Sequence, residues 1–115
     1  METVEIDPSS RLLTDSGLHY FRLGNYPEAI KRFIAALESS RDKIQLYRYL
    51  GEANCRIRDY KQMAEWFRKV VAFYPSDLKG WEKLAIAYEA LGQKSLLAIA
   101  QKNIREINRD RRANL

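Results

Sequence analysis

Few side chains in this sequence could do covalent or metal chemistry. There is one histidine, His19, and one cysteine, Cys55, so His and Cys alone cannot assemble a structural zinc set, which takes about four such ligands. A Cys–His pair would need these two to meet across neighbouring helices. A helix-borne cysteine is more often a small packing residue, and His19 reads as an ordinary polar position. The carboxylates Glu28, Glu38, Glu65 and Glu106 read as helix-surface charges. No phosphate loop, Gly-rich nucleotide fingerprint or nucleophile elbow occurs. The expectation is a chain that is not an enzyme, with no catalytic residues, no metal and no cofactor.

The other concentration of chemistry is charge. From Lys94 to Leu115 the chain carries six cations (Lys94, Lys102, Arg105, Arg109, Arg111, Arg112) against Glu106 and Asp110. Such a run could meet RNA, an acidic membrane surface or an acidic segment. Cations also complement the dipole at a helix C-terminus, and a solenoid end needs polar residues where inner units have apolar ones. That second reading is favoured, and a nucleic-acid-binding accessory role for this basic stretch is kept as the alternative.

The totals bound the rest. At 115 residues with 46% apolar and 11% aromatic residues, the chain has enough material for one packed domain. Lys plus Arg exceed Asp plus Glu by 20 to 15, a net charge of +5, which leans towards acidic partners without demanding nucleic acid. A lone cysteine forms no internal disulfide. No apolar run approaches the roughly 18 to 20 residues of a membrane span. The start, Met1-Glu2-Thr3-Val4-Glu5-Ile6-Asp7, lacks the basic and apolar stretches of a signal peptide. The expected location is cytoplasmic.

What positions these residues is a repeat. Leu23-Gly24-Asn25-Tyr26-Pro27-Glu28-Ala29-Ile30 returns 34 residues later as Ile57-Arg58-Asp59-Tyr60-Lys61-Gln62-Met63-Ala64, and again as the worn copy Leu91-Gly92-Gln93-Lys94-Ser95-Leu96-Leu97-Ala98. The register extends to Leu13, Tyr47 and Trp81, to Gly17, Gly51 and Ala85, and to Phe33, Phe67 and Gln101. A fixed period of this length marks units that bury their apolar faces only by stacking on neighbours. Each unit reads as two helices. In the first, Leu12, Leu13, Ser16, Gly17, Tyr20 and Leu23 share one helical face. Gly24 suits the left-handed C-cap, Asn25 caps the next helix with Glu28 in capping-box position, and Ala29, Ile30, Phe33, Ala36 and Leu37 point inward. Tyr47, Leu50, Gly51 and Ile57, then Ala64, Phe67, Val70 and Val71, repeat this; Trp81, Leu84, Ala85 and Tyr88 open the third unit. Gly17 is small where a partner helix must come close. The acidic residues 1–10 also read like the tail of a preceding helix, so the chain could be cut from a longer array.

On these residues the chain resembles the tetratricopeptide repeat family, three tandem repeats over residues 10–111. Repeat 1 keeps Gly17, Tyr20, Gly24-Asn25-Tyr26, Ala29, Phe33 and Ala36. Repeat 2 keeps Tyr47, Leu50-Gly51, Asp59-Tyr60, Phe67 and Pro75, and repeat 3 keeps Trp81, Leu84-Ala85, Tyr88 and Gly92. Ser16, Asn54, Met63 and Gln101 depart from the pattern, and Asn54 in an aromatic slot predicts looser packing in the middle unit. The resulting division is a lead-in at 1–9, units at 10–43, 44–77 and 78–111, and a basic tail to 115. The fold the resemblance implies is all-α, a right-handed solenoid of antiparallel helix pairs whose first helices line a concave groove for an extended peptide or a partner helix.

Carrying the family's groove-facing slots onto this chain gives Arg11, Thr14, Asp15, Leu18, Phe21 and Arg22 from the first unit. The second gives Gln45, Arg48, Tyr49, Glu52, Cys55 and Arg56, and the third Lys79, Glu82, Lys83, Ile86 and Glu89. The implied function is a non-catalytic protein–protein interaction module, of the scaffold, adaptor or co-chaperone kind, whose protein or peptide partner has acidic character. Arg11, Arg48, Arg56, Lys79 and Lys83 should surround Tyr49 on one surface, available for charge-assisted hydrogen bonds. Reversing Arg48 and Lys83 should then leave the fold intact. Chaperone-binding members of the family clamp a C-terminal carboxylate, and those slots read Thr14, Leu18, Tyr49, Lys79 and Lys83 here, so capture of that tail is not expected. Self-association through the solenoid ends is a further expectation.

Overall fold

The computed structural model describes residues 8–115, all of which belong to helices and short turns. The expected lead-in at residues 1–7 lies outside the described residues. Six helices follow in order: α1 (Pro8–Arg22), α2 (Tyr26–Leu37), α3 (Lys43–Arg56), α4 (Tyr60–Phe73), α5 (Leu78–Leu91) and α6 (Lys94–Ala113). Each packs chiefly on its neighbour in sequence. The radius of gyration is 16.0 Å, whereas a compact globule of this length would have about 13 Å. That excess is what stacking along one axis produces. This is an all-α solenoid.

Local chemistry sets the helix ends. Asn25, Asp42, Asp59 and Asp77 each accept a hydrogen bond from the backbone N–H three residues on, at Glu28, Gln45, Gln62 and Gly80, which satisfies an N–H that the first turn leaves open. The capping box at Asn25 is half-made: the Asn25 N–H goes back to the Tyr20 carbonyl, and Glu28 turns to Arg32 at 3.2 Å. The turns after α1 and α5 use Gly24 and Gly92 with φ of 79° and 70°, and the corresponding turn after α3 puts Arg58 at φ 62°.

The core forms two clusters along the stack. Ala29, Phe33, Ala36, Leu46 and Leu50 join α2 to α3; Met63, Ala64, Phe67, Val70, Val71, Leu84, Ala87, Tyr88 and Ala100 join α4, α5 and α6. Within each of the first two pairs, glycine lets a phenylalanine ring lie on the helix backbone. A Cβ at Gly17 would stand 2.5 Å from the Phe33 ring, and one at Gly51 would stand 2.4 Å from Phe67. The third pair has Ala85 and an exposed Gln101 in these places, a methyl arriving where the ring has gone.

Three readings of the first and second units need correcting. Leu12 and Leu23 are 68% and 66% exposed: α1 has no helix ahead of it among the described residues to cover Leu12, and Leu23 lies in the turn beyond the last residue of α1. Leu18 and Phe21 pack on the first cluster instead. Ile57 ends α3 as its C-cap and is exposed. Asn54 leaves no looseness: it is buried, and its amide donates to the Leu50 carbonyl at 2.8 Å.

Candidate functional site

The face that α1, α3 and α5 present contains two clefts sharing the wall Gln45 and Tyr49. The larger, about 400 Å³, lies between the first turns of α1 and α3, closed by Ser39, Ser40, Arg41 and Asp42 of the α2–α3 turn and floored by Leu46. The smaller, about 280 Å³, lies between α3 and α5 among Arg48, Glu52, Phe67, Lys79 and Lys83. Tyr49 is held between them by stacking on Phe33, centroids 5.3 Å apart. An aromatic backed by a stacked neighbour is a firm wall for a side chain to pack against.

Electrostatically this face is less basic than its composition. Arg48 donates both terminal nitrogens to Asp77, at 2.9 and 3.1 Å, and Asp77 also caps α5 by accepting from the Gly80 N–H at 2.8 Å. Burial raises the Asp77 pKa, but the Arg48 hydrogen bond, the Gly80 N–H and the charges of Arg48 and Arg111 outweigh it, and the carboxyl lies below the usual range. Lys83 pairs with Glu52 at 2.9 Å. Glu52 also meets Arg56 at 3.6 Å. The Arg56 guanidinium lies over the rings of Phe21 and Tyr26 and donates to the Tyr26 hydroxyl, whose hydrogen bond raises its pKa further. Arg48, Arg56 and Lys83 therefore tie successive units together.

The cations left over are Arg11 and Arg41 in the larger cleft and Lys79 in the smaller, all exposed and in no ion pair among the described residues. Arg22 is exposed at the end of α1, and Leu18 and Phe21 are half-buried against the first cluster. Ile86 is exposed and lines neither cleft. The structure thus brings Arg11, Arg48, Tyr49, Glu52, Lys79 and Lys83 to one pair of clefts. The expectation that Arg48 is a free cation is overturned, since a charge reversal there would break the α3–α5 link. Sequence reasoning missed the α2–α3 turn as a cleft wall, and also the Asp77 partner, 29 residues from Arg48. The only signal for Asp77 was its N-cap position, which says nothing of a second role.

His19 is exposed, edge-on to Tyr20, and Cys55 is half-buried against the second cluster. Among the described residues no group of three or more His, Cys, Asp or Glu could hold a metal, and no helix is long and apolar enough to cross a membrane.

No family model and no curated protein matches the sequence. Solved structures do. The first tetratricopeptide-repeat domain of Spaghetti (RPAP3), bound to the HSP90 peptide SRMEEVD, is similar with a TM-score of 0.75 at 20% identity over 91% of this chain and 84% of that one. MamA is similar with a TM-score of 0.76 at 20% identity, over 88% of this chain and 60% of its own. Yeast Tom70 gives 0.71 at 23% identity, over 96% of this chain and 27% of its own. At such identities the likeness speaks of architecture, and it agrees with the 34-residue register: this chain has the tetratricopeptide-repeat fold.

Proposed function

We propose that the chain is a non-catalytic interaction module that holds an extended peptide or partner helix across the α1–α3–α5 face. The observation that carries this is the pair of adjoining clefts around Tyr49. Successive outward side chains of an extended peptide, spaced by roughly 7 Å, suit two cavities that share a wall. Preference for an acidic partner rests on Arg11, Arg41 and Lys79, in no ion pair among the described residues, rather than on the whole basic set. The peptide-bound RPAP3 domains support this kind of use of the fold. The ligand itself should differ: of the carboxylate-clamp slots, Thr14, Leu18 and Tyr49 do not match, and Lys83 is already engaged by Glu52.

The test is a peptide library displayed to the full chain, with hits measured by fluorescence anisotropy. Tyr49→Ala with Lys79→Glu should weaken binding by at least ten-fold while helix content stays unchanged, and SRMEEVD should show no saturable micromolar binding. The rival reading uses the α6 cations, which make no ion pair among the described residues. It predicts that Arg111→Glu with Arg112→Glu destroys binding, that the Tyr49 and Lys79 changes are silent, and that affinity falls steeply with salt. That pattern would sink the peptide-groove reading.

A further inference from the structure

A third cleft, of about 310 Å³, opens between α4 and α6 over the α5 residue Trp81, and shares no residue with the clefts around Tyr49. Its walls are Val71 and Ala72 on one side and Leu96 and Ile99 on the other, with Arg68 at the edge. Ile99 is 52% exposed. The reason for the opening lies in the register. In the middle unit the equivalent of Trp81 is Tyr47, and it is covered twice. Trp66 stacks on it with centroids 5.7 Å apart and reaches on to the first cluster, and Lys69 lies 5.9 Å from its centroid. One repeat later, Trp66 and Lys69 become Ala100 and Asn103. Trp81 keeps its N–H satisfied by the Pro75 carbonyl at 2.7 Å, but no ring or cation covers it among the described residues.

We propose that this cleft is a second docking site, and that its occupant is an aromatic side chain, an indole foremost, carried on a helix of another protein with a cation one turn further on. The chain itself supplies the template for that chemistry. Where the same space lies between α2 and α4, it is filled by Trp66 with Lys69 three positions along the same helix. An incoming helix laid along α4 and α6 would restore both covers, by stacking on Trp81 and by a cation beside the ring. Arg68 is engaged with Glu65, so this contact is apolar and aromatic, unlike the charge-assisted contacts proposed around Lys79.

The probe is an alanine-based helical peptide bearing one tryptophan with lysine three residues later, beside the same peptide with alanine for the tryptophan. Binding to the full chain is followed by NMR at the indole N–H signals of Trp81 and Trp66. Trp81 should shift on titration and Trp66 should not, and the alanine peptide should have no effect. Ile99→Glu, at an exposed position, should weaken binding by at least ten-fold. Ala100→Trp should fill the cleft from within, abolishing binding and raising the melting temperature. Should that variant fail to fold, Ile99→Glu carries the test alone. Absence of a tryptophan-dependent shift at Trp81, or undiminished binding by the Ile99→Glu variant, would overturn the proposal. So would a Trp81 shift that follows protein concentration alone and sediments as a dimer, because a second copy would then be the occupant. Loss of groove binding in the Tyr49 and Lys79 variants leaves this result untouched, so the two sites stand or fall separately.

Discussion

At the residue scale, one aspartate does the work of two. Asp77 caps α5 and receives Arg48 from α3, so the turn between the second and third units is fastened to the unit before it. Asp77→Ala should remove a cap worth about 1 kcal/mol and a charge-assisted pair worth about 1.5 to 3 kcal/mol, read from urea unfolding. Arg48→Glu should cost about 2 to 3 kcal/mol, whereas Lys83→Glu, at a more open pair, should cost no more than about 1 kcal/mol. Equal and negligible losses from both would mean the Arg48–Asp77 contact carries no stability. The pH dependence has a definite sign. A carboxyl whose folded pKa is depressed contributes stability above its unfolded pKa of about 3.9 and loses it as pH falls through the folded value. The stability gap between the parent and Asp77→Asn should therefore be largest at neutral pH and shrink as pH is lowered below about 4. Arg58 is a second informative residue. It holds φ 62° in the place where the flanking turns have glycine, and it is exposed. A side chain in that conformation costs roughly 1 to 2 kcal/mol, so Arg58→Gly should raise stability by about 0.5 to 1 kcal/mol, the unfolded chain's extra freedom taking back part of the gain.

At the element scale, the pairing of helices within a unit turns on a glycine facing a ring. Gly51→Ala would put a methyl 2.4 Å from Phe67, and overpacking of this kind costs about 1 to 3 kcal/mol. Phe67→Ala, which empties the same contact, should cost about 3 to 5 kcal/mol. If both act through one contact, the double variant should be less damaging than the sum. Strict additivity in a denaturation cycle would show that the two residues do not share a site. The third unit has already made the paired exchange, with Ala85 and Gln101 in these slots. That is legible in the sequence once the register is known. The exposure of Leu12 was not legible, because an apolar stripe tells which residues would be covered by a neighbour and not whether the neighbour is there.

At the scale of the whole molecule, stacking along one axis leaves ends. The α1–α2 end exposes Leu12, Leu23 and Ile34, and exposed apolar surface of this sort favours association. Light scattering over a concentration series should show a rising mass, reduced by Leu12→Glu with Ile34→Glu. A parent chain that stays monomeric at high concentration would mean this side is covered. At the other end, α6 runs on to Ala113, and its last turns pack on no following helix among the described residues. Their amides should exchange hydrogen fastest among the helices, while those of Phe67 and Leu84 should be among the slowest.

The sequence by itself determined the helix pairs, the Asn25 cap, the small residue at Gly17 and the inward places of Phe33 and Phe67. Those depend on residues within one 34-residue period, where backbone geometry and apolar spacing leave little freedom. Which cations are free was decided only by tertiary structure. Arg48, Lys83 and Arg56 look alike in sequence to Arg11 and Lys79, and the difference between them is an acid or ring contributed by a neighbouring element. The same holds for the uncovered face of Trp81. Its loss of cover is written in Ala100 and Asn103, but it becomes a cavity only because α4 and α6 stand far enough apart to leave one. Local preferences act along the chain, whereas charge pairing and void space depend on distances between helices that the stacking geometry sets.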